Sequence, residues 1–210
     1  MKLENGYLGL IWEVSLGLDL GYGYVRFTAL DDQFGDYVRI LNHRSPTKLK
    51  QFNVEEFATY DELVAPFLGY GRPPQRGENR WKSTGYLPMQ GNDYELPDMK
   101  VGDARLAPPE SVDWFIIRGT SVGDYLRDEN GDTIAFKYNQ IKHLGFYGHL
   151  NLKMATPRVT LERIKILGLD YMNYENQDVP QDFLEDQKYY VTVSTPYLEV
   201  PKEIRGKVIR

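Results

Sequence analysis

The sequence predicts an α+β protein that is mainly β: an antiparallel curved sheet or small SH3-like barrel with one packed helix. Three observations lead there. Residues 8–29, LGLIWEVSLGLDLGYGYVRFTA, alternate apolar and polar side chains with the period of two that marks strands. The chain carries 16 Tyr, 9 Phe and 3 Trp, and aromatic residues favour strands and contact surfaces. Residues 53–65 have the clearest spacing of an amphipathic helix.

The first strand takes its apolar face from Leu8, Leu10, Trp12, Val14 and Leu16. Gly9, Glu13 and Ser15 fall between them, with Ile11 the one large apolar residue on the other face. Gly17, Gly21 and Gly23 permit a tight or bulged turn; no helix follows them, so a dinucleotide loop lacks its context. In the second arm Val25, Phe27 and Ala29 form the apolar face, and Tyr22, Tyr24, Arg26 and Thr28 point the other way. That second row has the composition of a partner-binding surface, since such side chains bury area and keep a polar tip. It has equally the composition of a second small core. A third strand is expected at 36–42, after the turn residues DDQFG, which completes a meander.

The helix expected at 53–65 starts at an Asn53 N-cap, with Glu56 three residues on. Val54, Phe57, Ala58, Leu63 and Val64 form its stripe, and Pro66 ends it. A short strand or loop follows at 67–70. Residues 71–79, GRPPQRGEN, form an exposed loop, and Trp81 opens a further strand. Residues 91–113 hold three prolines and connect two β-rich lobes, 1–100 and 101–210, or one continuous domain. Residues 114–118, WFIIR, read as a strand buried on both faces. Asn130-Gly131 is the preferred pair of a hairpin turn, and Ile134, Phe136 and Tyr138 alternate after it. Residues 155–168 lean to helix, 189–193 read as a late strand, and the tail from Pro201 is charged and frayed.

The totals narrow the function. There is no cysteine, which excludes disulfides and thiolate metal sites. A net charge of −5 argues against non-specific nucleic-acid binding and suits a basic protein partner. The opening MKLENGYLGLIWEV does not read as a signal peptide, because Glu4 and Glu13 interrupt it. No apolar run is long enough to span a membrane, so a cytoplasmic protein is expected.

Several motifs invite chemistry. Residues 119–123, GTSVG, match the G-x-S-x-G nucleophile elbow, with His143 and His149 downstream and Asp124, Asp128 and Asp132 between. The alternating scaffold that elbow needs is missing, so a glycine-rich turn is the better account. Residues 128–132, DENGD, lack the later glutamate of a calcium loop and read as a turn. The histidines His43, His143 and His149 have no common ligand spacing. Asp31-Asp32 and Asp61-Glu62 read as solvated faces. No catalytic residue, cofactor or metal site is therefore expected.

Two motifs carry a resemblance: Trp12-Glu13-Val14-Ser15-Leu16 and Gly21-Tyr22-Gly23-Tyr24-Val25. With the following strand, acidic helix, Pro66 and the segment 81–85, the first 90 residues or so resemble the immunity protein 26 family of bacterial polymorphic-toxin systems. The spacer 17–20 is longer than the pattern, and the C-terminal half lies outside it. The resemblance implies a β-rich cytoplasmic protein that neutralises a toxin domain by direct binding, without catalysis. Net negative charge would then steer it toward a basic toxin such as a nuclease. The family fixes no contact residues by motif, so Tyr22, Tyr24 and Arg26 stand as partner-binding candidates on parity alone. Two other classes stay open. A carbohydrate- or small-ligand-binding β module would use Tyr22, Tyr24 and Trp81 as stacking platforms, and a serine hydrolase would use Ser121.

Overall fold

The structure is a computed structural model. It describes residues 8–15, 21–31, 35–63, 66–70, 76–77, 80–94, 97–102, 107–117, 125–146, 149–151 and 200–206. The GTSVG turn at 119–123 and the elements expected at 155–168 and 189–193 lie outside them.

The N-terminal meander forms as its alternation predicts. Strand β1 (Leu10–Ser15) pairs antiparallel with β2 (Tyr22–Asp31), which pairs with β3 (Gly35–Ser45). β3 pairs with β4 (Phe67–Tyr70), and β5 (Lys82–Tyr86) closes on the free side of β1. A last strand, β9 (His149–Asn151), adds parallel to β4, giving a six-stranded sheet in the order β5-β1-β2-β3-β4-β9. A second sheet holds β6 (Met99–Val101) between β7 (Phe115–Ile117) and β8 (Gly145–Phe146). The protein is thus α+β and mainly β.

The expected single helix is cut to one turn. α1 spans Val54–Phe57, with the Asn53 side chain accepting from the backbone N–H groups of Glu55 and Glu56 at 3.0 and 3.3 Å. Residues 58–63 do not continue it, because 61–63 bond to β3 instead. Asn42 N–H donates to the carbonyl of Asp61 (2.7 Å) and Leu63 N–H to that of Ile40 (2.8 Å), so 61–63 runs beside β3 as a short β-bridge. Sheet-type hydrogen bonds to β3 replace helical ones there, and Leu63 is buried beside the bridge.

Both faces of the large sheet are buried in its central strands, β1 to β3. On the first, Trp12, Val14, Val25, Phe27, Val38 and Ile40 are nearly inaccessible, and Trp81 packs on Phe27 with ring centroids 6.4 Å apart. On the second, Ile11, Tyr24, Leu41, Phe57 and Leu87 form a separate cluster that α1 covers, joined by Leu49, Phe52 and Tyr60. Glu13, expected to face solvent, is buried here, and its carboxylate accepts from the backbone N–H of Leu49 at 2.6 Å. Phe52 lies over the backbone of Gly85; a Cβ at residue 85 would sit 2.1 Å from that ring. Only glycine fits so close an approach.

The smaller sheet has its own core of Trp114, Ile116, Tyr138, Ile141 and Leu144, with α2 (Tyr138–Ile141) packed on it. Tyr138 therefore belongs to a helical turn and not to the strand expected after the hairpin; Trp114 and Phe136 still exchange both backbone hydrogen bonds. Residues 128–132 make a turn closed by Asp128, whose carboxylate accepts from the N–H groups of Asn130 and Asp132, with Gly131 at φ +87°. Lys100 is buried, its ammonium donating to the carbonyls of Lys142 (2.8 Å) and Leu144 (2.7 Å). Among the described residues, no helix is long and apolar enough to cross a membrane.

Candidate functional site

The row Tyr22, Tyr24, Arg26 does not face solvent, because α1 and the segment 87–93 lie over it. Tyr24 is 0% exposed and Arg26 6%; only Tyr22 is partly accessible, with the Lys48 ammonium 6.0 Å from its ring centre. Tyr24 meets Phe57 edge-on at 5.1 Å and stacks on His43 at 5.4 Å, and its hydroxyl bonds the Ser45 hydroxyl at 2.6 Å. Burial, partly offset by Ser45, pushes the Tyr24 phenol above its usual range. His43 in turn stacks on Tyr60 at 4.0 Å. The Tyr60 hydroxyl donates to Glu56; burial and that carboxylate push the Tyr60 phenol up to about 12.

Beside this aromatic stack a half-open groove of about 230 Å³ enters the second face. Its floor is a cross-strand pair of arginines, Arg26 on β2 opposite Arg39 on β3. Like charges placed so are destabilising unless each has its own counter-charge. Arg26 donates to Asp93 at 3.0 Å and to the carbonyls of Leu87 (2.9 Å) and Pro88 (2.8 Å). Arg39 donates to the Thr28 hydroxyl at 2.9 Å and to the Glu62 carboxylate. Asp93 also accepts from the backbone N–H of Gln90, which fixes the 3₁₀ turn Gly91–Tyr94 that carries it. Two buried atoms on this floor, Arg26 Nε and Glu62 Oε2, have no hydrogen-bond partner.

The groove's third carboxylate is Asp61. The Arg205 guanidinium reaches it at 2.6 Å and the Lys202 ammonium at 3.3 Å, both from residues 200–206. Burial works against ionisation of Asp61, but Arg205 and Lys202 outweigh it and hold the carboxyl below its usual range. Glu62 goes the other way: burial pushes it up against the pull of Arg39. Asp61-Glu62 is therefore not a solvated face. The dipeptide bridges β3, and its carboxylates turn to different cations. Sequence reasoning missed both residues, since adjacent acids are usually surface and nothing local points to Arg39 or Arg205.

The other candidates fall elsewhere. Trp81 is buried beside Phe27, so neither it nor Tyr24 presents a ring face to a ligand. His143 is buried in the smaller core, His149 lies on β9, and His43 sits in the aromatic stack. Among the described residues, no group of three or more potential ligands could hold a metal ion. Chemically the groove is a mixed-charge recess, lined by two arginines and three carboxylates that are tied to one another or to residues 200–206. Compared with known proteins, the chain matches no family model, no curated protein and no solved structure.

Proposed function

We propose that this chain is an immunity protein that neutralises a protein toxin by stoichiometric binding, with the mixed-charge groove of the large sheet as part of its contact surface. The observation that carries this reading is the groove itself. Asp61, Glu62 and Asp93 line it and Glu56 stands at its rim through Tyr60, so a partner meets carboxylates held in place before it arrives. Prepaid ordering of this kind lowers the entropic cost of binding. A basic toxin, such as a nuclease, complements these carboxylates and the net charge of −5. The likeness of residues 12–16 and 21–25 to the immunity protein 26 family points the same way.

The test is co-expression with the toxin domain encoded beside this chain. Cell survival together with a co-purifying 1:1 complex supports neutralisation by binding. Survival without a complex assigns the chain an activity instead, and Ser121→Ala becomes the next variant. The absence of both survival and a complex refutes the proposal. Glu56→Lys should slow association and weaken its salt dependence if charge steers the encounter.

A further inference from the structure

We infer that Asp61 is the docking point for a basic side chain of the protein partner, and that Arg205 and Lys202 occupy that place until the partner displaces them. This rests on the proposal above that the partner is a basic protein. The three carboxylates that line the groove are held differently. Asp93 and Glu62 are bound by Arg26 and Arg39, cations rooted in the middle of the sheet and themselves largely buried. Each of those pairs has a side chain from the sheet floor and is part of the fold. Asp61 is bound from outside the groove, by a segment 144 residues further along the chain.

Charge makes the same distinction. Two arginines and three carboxylates line the groove, so Asp61 is the acid left without a cation of the floor. Residues 200–206 supply that cation. They are fixed at several points: Val200 is buried, Arg205 Nε–H donates to the Val200 carbonyl at 3.0 Å, and the Gly206 carbonyl accepts from Asp98 N–H at 3.1 Å. The Asp61 carboxylate and the Lys202 end of this pairing are the accessible part, while the Arg205 side chain is 13% exposed. The Asp61 side chain is 32% exposed against 19% for both Glu62 and Asp93, and Lys202 is 74% exposed. Partly exposed ion pairs exchange readily, because water and other cations compete for them. A guanidinium from a partner matches the carboxylate in two-point geometry; it can take the place of the exposed Lys202 first and then compete with Arg205. The segment 200–206 is then an internal stand-in for the partner's basic residue, and its hold on Asp61 sets a threshold that a weakly basic surface does not pass.

The test uses the full chain and triarginine peptide as probe, followed by chemical-shift titration at Ala58, Tyr60 and Gln90 on the groove wall. Arg205→Met with Lys202→Met should bind triarginine about fivefold more tightly than the unmodified chain, the upper end for a partly exposed pair. Lys202→Met alone, a change at an exposed side chain, should give a smaller gain in the same direction without risk to the fold. Adding Asp61→Asn to either variant should abolish the gain. Unchanged affinity in both variants, or a gain that survives Asp61→Asn, overturns the inference. A chain that rescues cells from its toxin but gains no affinity in this titration refutes the stand-in and leaves neutralisation standing. A gain that depends on Asp61 supports the docking point even where co-expression gives no rescue.

Discussion

Replacing Arg26 by Met isolates the groove floor, since Met keeps most of the buried stem and removes the guanidinium. Three charge-assisted bonds are lost, to Asp93, Leu87 and Pro88. Hydrogen bonds to a charged group are worth about 1.5–3 kcal/mol each. They do not all count in full. Pro88 is exposed and Asp93 partly so, and both can turn to water, whereas the Leu87 carbonyl bond is buried. One full bond and a fraction of another come to about 3 kcal/mol. Two gains offset this. Arg26 Nε is already buried without an acceptor, and the cross-strand repulsion with Arg39 disappears, together about 1 kcal/mol. The net expectation is a loss of about 2 kcal/mol, read in urea denaturation as a midpoint lower by about 1 M with an unchanged slope. Asp93→Asn should cost less, and the double variant should reveal a coupling of about 1 kcal/mol. A loss below about 0.5 kcal/mol for Arg26→Met would mean that the 87–93 segment does not depend on this side chain, and the account of the groove as an ion-paired recess would fail.

Further outcomes follow from the same structure. Gly85→Ala should destabilise the fold by about 1–3 kcal/mol in urea denaturation, because the new methyl displaces the Phe52 ring. If Phe52→Ala relieves that cost in the double variant, the contact is confirmed as its source. Tyr24→Phe should cost about 1 kcal/mol, chiefly the loss of the Ser45 hydrogen bond, with the ring packing retained. Asp61 has a depressed pKa in the fold, so the unfolded chain binds its proton first; stability from this group is present above pH 3.8 and is lost as pH falls through its lower folded value. Asp61→Asn should flatten the acid limb of the stability curve, and an unchanged limb would show that the Arg205 contact does not persist in solution.

What the sequence made legible was the local pairing. The hairpin of β1 and β2, the third strand, the β5 segment after Trp81 and the buried run of β7 all follow from alternation or apolar runs that each strand carries by itself. The Asn53 cap follows equally from local chemistry. What alternation does not specify is which distant segment covers a face. Glu13 reads as a solvent residue until the Leu49 N–H, 36 positions on, arrives to bond it. Arg26, in one row with Tyr22 and Tyr24, reads as a contact residue until Asp93, 67 positions on, holds its guanidinium. The helix at 53–65 has the right spacing, yet the exposed edge of β3 offers residues 61–63 backbone partners that no helical pattern anticipates. The candidate groove was illegible for the same reason: each of its ion pairs joins residues far apart in the chain.

The parallel pairing of β4 with β9 has a consequence for how this chain is made. Five strands of the large sheet lie within the first 86 residues, so they can pair while translation is still under way. The sixth partner, residues 149–151, leaves the ribosome much later. Until it does, β4 is an open edge on a half-made molecule, with backbone donors and acceptors facing other nascent chains. The hazard of misassembly for this protein is therefore concentrated in one interval of its synthesis, and a pause in translation between residues 86 and 149 would lengthen it.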